Sequence, residues 1–85
     1  MISQTFSVCY SPLSMLSKKS QGFITAIRNQ DERIVKKILA MGVHTGMQIT
    51  LEQTFPSFVI RVGRTRIAID KEIANSIKVR VTNRN

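Results

Sequence analysis

The side chains that could do chemistry are few: one histidine, one cysteine and five carboxylates in 85 residues. His44 stands in a turn between Gly42 and Gly46, and Cys9 lies in a polar N-terminal stretch. Neither recurs at a ligand spacing such as C-x-x-C or i, i+4, so the chain offers no intrinsic metal site. Asp31 and Glu32 are adjacent and read as acids at a helix start; Asp70 and Glu72 read as a helix cap and a solvated face. Catalysis needs a base beside a nucleophile or two carboxylates across a cleft, and nothing is spaced for either. The four glycines are scattered, so no phosphate-binding loop is present. These residues argue against an enzyme and against a bound cofactor. They leave open a metal held between two chains.

The basic residues are the stronger signal. Thirteen Lys and Arg against five Asp and Glu give a formal charge of +8 and a pI near 10.7. That balance favours an acidic partner, whether nucleic acid, an anionic membrane surface or an acidic protein patch; a basic surface that serves only solubility is the plain alternative. Arg61, Lys78 and Arg80 fall on the polar side of alternating segments. Arg64 and Arg66 lie at or beside a turn, with Lys71 and Arg84 near in sequence. In a small barrel these positions are expected to converge on one patch. A nucleic-acid surface usually adds exposed stacking aromatics. Phe23 and Phe58 are expected to face inward, leaving Phe55.

The element that must position these groups runs from Arg33 to Leu51. Ile34, Val35, Ile38, Leu39 and Met41 recur at helical spacing, opposite Arg33, Lys36 and Lys37. Asn29 is expected to cap the helix with Glu32 reaching back, and Gly42 to end it in a left-handed cap. After a second glycine at Gly46, Met47, Ile49 and Leu51 alternate with polar residues as a strand does. Further strands are predicted at 22–28, 58–62, 65–69 and 77–81, with Gly63 and Arg64 as the two central residues of a type II′ hairpin turn. Asp70 caps a helical turn at 71–75. Five short strands in one small sheet are expected to curl until the first and last meet. The predicted fold is therefore mainly β with one helix, a small five-stranded barrel. Its expected core is Ile24, Ile27, Ile38, Leu39, Ile49, Leu51, Ile60, Val62, Ile67, Ile69, Ile77 and Val79. Residues 1–12 read as a frayed or edge-strand segment and 13–85 as the domain. No run is long and apolar enough for a membrane-spanning helix, and the lone cysteine allows no internal disulfide, so a cytoplasmic protein is expected.

The order of glycine, strand, helix, Leu39-Ala40-Met41-Gly42-Val43-His44-Thr45-Gly46-Met47, strand and hairpin resembles the ferrous iron transport protein A (FeoA) family. Ile67-Ala68-Ile69 and the segment from Lys71 to Val79 extend the match over roughly residues 13 to 81. The resemblance implies an SH3-like small barrel and a cytosolic accessory protein of bacterial ferrous iron uptake. Such a protein would act by contact with the cytosolic domain of a GTPase-linked iron permease, peripherally at the inner membrane. It also carries the family's association with transition metal ion binding, although these residues supply no ligand set. The partner contact would fall on Gly42, Val43, His44, Gly46 and Met47 together with Arg61, Arg64, Arg66 and Arg80. A basic small-barrel nucleic-acid-binding protein is the alternative. The chain departs from the family in having Lys18-Lys19 where a glycine is common, and Phe55-Pro56-Ser57 in place of a longer loop.

Overall fold

The computed structural model describes residues 9–83. The alternation expected at Phe6 and Val8, and the basic residue Arg84, lie outside them. Six strands rather than five form one antiparallel sheet: β1 (Cys9–Pro12), β2 (Gln21–Ile27), β3 (Gln48–Gln53), β4 (Phe58–Val62), β5 (Thr65–Ile69) and β6 (Ile77–Asn83). Their spatial order is β1-β6-β2-β3-β4-β5. The additional strand is β1, whose four residues pair with β6 from Cys9↔Val81 to Pro12↔Lys78. So short a segment, ending in a proline that has no ladder donor, carries little periodic signal.

The first and last long strands do meet, with Ile24 opposite Val79 and Ile27 opposite Ile77. A regular strand would put Ile24 and Ile27 on opposite faces. A register shift between Ile24 and Ala26 inserts one residue and brings both to the core side. Gly22 permits the close approach of β2 to β6, since a Cβ there would collide with the Arg80 backbone carbonyl and Val79 Cγ1. β4 and β5 form the expected hairpin; Gly63 takes φ 62° at its tip, a value that costs glycine nothing.

Two helices cover the ends of the sheet. α1 (Glu32–Ala40) is capped by Asp31, not Asn29: the Asp31 carboxylate accepts from Arg33 N. Asn29 acts one step earlier, accepting from Asp31 N at 2.8 Å and donating to Ser76 Oγ at 2.9 Å. α2 (Lys71–Ser76) is capped as expected by Asp70, which accepts from Ile73 N at 2.8 Å. α2 packs on a short 3-10 turn at Leu13–Met15, where Leu13 is fully buried.

The core matches the expected set with two corrections. Leu39 is 41% exposed, because α1 turns only Ile38 fully inward. Val43, expected at the surface, is fully buried with Leu13, Ile73 and Ala74. Ile27 and Ile67 sit at the core margin.

Candidate interaction site at the turn and the hairpin

The turn after α1 is shaped by two glycines in the left-handed region, Gly42 at φ 90° and Gly46 at φ 88°. A Cβ at either would meet open space, so backbone sign and not crowding calls for glycine. The turn is stitched to β2: Gly46 N donates to Ile24 O at 2.6 Å, and Ile24 N donates to Met47 O at 2.9 Å. Val43 points into the core, with its N–H donating to Ile38 O at 3.4 Å. It therefore cannot offer an apolar contact to a partner, which corrects the expectation. A carboxylate at that position would be buried unpaired and would disrupt the fold rather than an interface. His44 is exposed, and its carbonyl accepts from Met47 N.

Met47 is half-buried and packs partly against the core. It also lines a cavity of about 380 Å³ together with Gln48, Thr50, Arg61 and Gly63. The register explains this meeting. Ile49 pairs with Val62 and Thr50 with Arg61, so the start of β3 lies beside the hairpin tip. The turn and the hairpin, separate in sequence, thus share one concave surface.

Arg61 and Arg66 are direct cross-strand partners. Two like charges opposite each other repel; Glu52 on β3 stands between them, with Oε2 3.4 Å from Arg61 Nε and Oε1 3.5 Å from Arg66 Nη2. Both guanidinium groups are more than half exposed, so these bridges orient the arginines and contribute at most about 1 kcal/mol each. The signal for Glu52 in the sequence is indirect: a hairpin centred on Gly63 and Arg64 sets Arg61 opposite Arg66, and two facing arginines call for a counter-charge. Arg64 is exposed at the tip and has no ion pair among the described residues.

The expected single basic patch divides. Arg80 lies on β6, and β2 and β3 separate that strand from β4. Its guanidinium sits over the Phe23 ring, 5.6 Å from the centroid. Phe23 consequently faces outward, contrary to expectation, while Phe58 packs against the core as expected. Phe55 is exposed. Among the described residues no group of three or more His, Cys, Asp or Glu is placed to hold a metal ion, and no helix is long and apolar enough to cross a membrane.

The FeoA domain pattern matches residues 11–81. The chain belongs to the FeoA domain family. A Leptolyngbya boryana protein with the provisional name Fe(2+) transport protein A is 28% identical over 78 residues, 91% of this chain and 95% of that protein. The crystal structure of an iron uptake regulatory protein, FeoA, superposes with a TM-score of 0.78 at 27% identity, covering 87% of this chain and 99% of that one. Stenotrophomonas maltophilia FeoA, crystallised with zinc and described as a prokaryotic SH3 domain protein, has a TM-score of 0.68 at 18% identity, covering 82% of this chain and 87% of that one. This FeoA domain is accordingly an SH3-like antiparallel sheet with short helices, in a family of non-enzymatic accessory proteins.

Proposed function

We propose that this FeoA-family protein, involved in ferrous iron transport, works by docking on the cytosolic, GTPase-bearing domain of a ferrous iron permease. The docking surface is the cavity where the Gly42–Met47 turn meets the β4–β5 hairpin. The observation that carries the reading is this junction within a matched FeoA domain. Met47 offers apolar area beside Gly63, and Arg61, Arg64 and Arg66 stand around or near it. An apolar contact ringed by charges suits a protein partner, because the apolar centre supplies affinity and the rim steers encounter. Nucleic acid is a poorer occupant of this site: Glu52 already engages two of the arginines, and no aromatic side chain lines the cavity. Docking would hold the protein at the cytoplasmic side of the membrane that carries the permease. Biolayer interferometry with the immobilised permease domain tests this. The wild-type chain should bind at about 0.15 M salt, and Met47→Asp should weaken binding about tenfold or more with its circular dichroism unchanged. No wild-type binding, or equal binding by a folded Met47→Asp protein, contradicts the proposal.

A further inference from the structure

The outer face of β1, β6 and β2 has a different character from the docking cavity. Tyr10 is 65% exposed and lies directly opposite Arg80, which in turn lies opposite Phe23. Two residues along, Lys78 projects from the same side of β6, opposite Pro12 of β1 and Ala26 of β2. A cavity of about 310 Å³ opens here, lined by Tyr10, Ser11, Pro12, Thr25, Ala26, Arg28 and Lys78. No carboxylate is among its walls. All five acids are used elsewhere: Asp31 and Asp70 cap helices, Glu32 and Glu72 lie in their first turns, and Glu52 bridges Arg61 and Arg66. Arg28 and Arg80 are exposed and Lys78 is half-buried, and none of the three has an ion pair among the described residues. Lys78 Nζ donates to Asn75 O at 3.2 Å, which fixes the ammonium beside the cavity and leaves it two more protons to donate. The Arg80 guanidinium lies over the Phe23 ring.

We propose that this face binds an extended acidic peptide segment with carboxylates at alternate positions, one entering the cavity between Arg28 and Lys78 and the next reaching Arg80. The spacing supports it. Lys78 and Arg80 are two residues apart on one strand, roughly 6.6 Å, which is the repeat of same-side residues in any extended peptide. A ligand of the form acid-x-acid thus matches the cations in register, with the intervening residue turned away from the sheet. Single-stranded nucleic acid fits less well. The Phe23 ring is covered by Arg80, so one exposed aromatic remains where stacking platforms use several. This surface is independent of the permease reading, since it shares no lining residue with the docking cavity.

A fluorescein-labelled Glu-Val-Glu-Val-Glu-Val-Glu peptide tests it by fluorescence anisotropy with the full chain at about 0.15 M salt. The peptide should bind and should bind more tightly than a control with the same composition and its glutamates in one block. The double substitution Lys78→Gln and Arg80→Gln should weaken binding about tenfold or more, whereas Arg64→Gln should leave it unchanged. Amide shifts of the labelled wild-type protein should move at Tyr10, Arg28, Lys78 and Arg80, a reading that does not depend on any variant folding. Absence of binding, equal affinity for the block peptide, shifts centred on Gly63, or tighter binding of a thymidine octanucleotide would each overturn the proposal.

Discussion

The guanidinium of Arg80 lies over the ring of Phe23, its direct partner across the β2–β6 ladder, at 5.6 Å from the centroid. This pair joins the strands on which the fold closes, on the face of β2 opposite the buried Ile24. A cation over a ring at an exposed site stabilises by about 0.5–1 kcal/mol. Arg80→Ala and Phe23→Leu should each lower stability by about that amount. The double variant should lose less than the sum of the two, as measured by urea denaturation. Full additivity would mean that the two side chains are neighbours without coupling.

Ile38 and Leu39 are adjacent in α1 and differ in fate: Ile38 is fully buried and Leu39 is 41% exposed. Ile38→Ala should cost about 2–5 kcal/mol and Leu39→Ala about 1 kcal/mol or less. Val43→Asp should leave little folded protein, because a fully buried position has no partner to offer a carboxylate. Thermal melts of the three variants check the order. Equal losses at Ile38 and Leu39 would contradict the phase of the helix.

Lys19 holds φ 77°, alone among the described non-glycine residues in having positive φ. Its N–H donates to Leu51 O at 2.6 Å, and Leu51 N donates to Ser20 O at 2.9 Å, so the loop is pinned to β3 in that conformation. The FeoA resemblance puts a glycine in this neighbourhood. Left-handed backbone costs an ordinary residue about 1–2 kcal/mol. Glycine avoids that cost and loses about 0.5–1 kcal/mol in chain entropy. Lys19→Gly should therefore stabilise the domain by about 0.5–1 kcal/mol, with an unchanged m-value in urea.

The Arg33 side chain, and then its backbone N–H, hold the Asp31 carboxyl below its usual range. A depressed folded-state pKa contributes stability above the unfolded value, near 3.9, that is lost as pH falls through the folded one. Wild-type stability should thus decline on the acid side more than that of Asp31→Asn. Arg33→Ala should reduce the difference. Chemical denaturation between about pH 2 and 6 measures it, and parallel curves for wild type and Asp31→Asn would remove this carboxyl from the acid transition.

Much of this fold is legible in the residues. Gly42, Gly46 and Gly63 mark turns because their backbone signs demand it, and the caps at Asp70 and the β4–β5 hairpin follow from local chemistry alone. What stayed hidden depends on docking. The rotation of α1 decides between Ile38 and Leu39, and the inward turn of Val43 follows from how Gly46 is stitched to Ile24. Phe23 faces outward because it alternates with the buried Ile24, whereas Ile27 reaches the core side only through the bulge after Ile24, which no period-two reading contains. The candidate site was legible as two lists of residues. That Met47 and Gly63 share a cavity while Arg80 belongs to another face required the register of β3 on β4 and the order of the sheet.

The central claim is that the Met47–Gly63 junction is where this FeoA protein meets the permease. The most direct measurement is an amide-shift titration of the isotope-labelled protein with the unlabelled cytosolic domain of the permease. The account predicts saturable shifts and line broadening centred on His44, Gly46, Met47, Gly63 and Arg64, with Tyr10 and Lys78 unmoved. Shifts centred elsewhere on the sheet, or none at all with a folded permease domain, would contradict it.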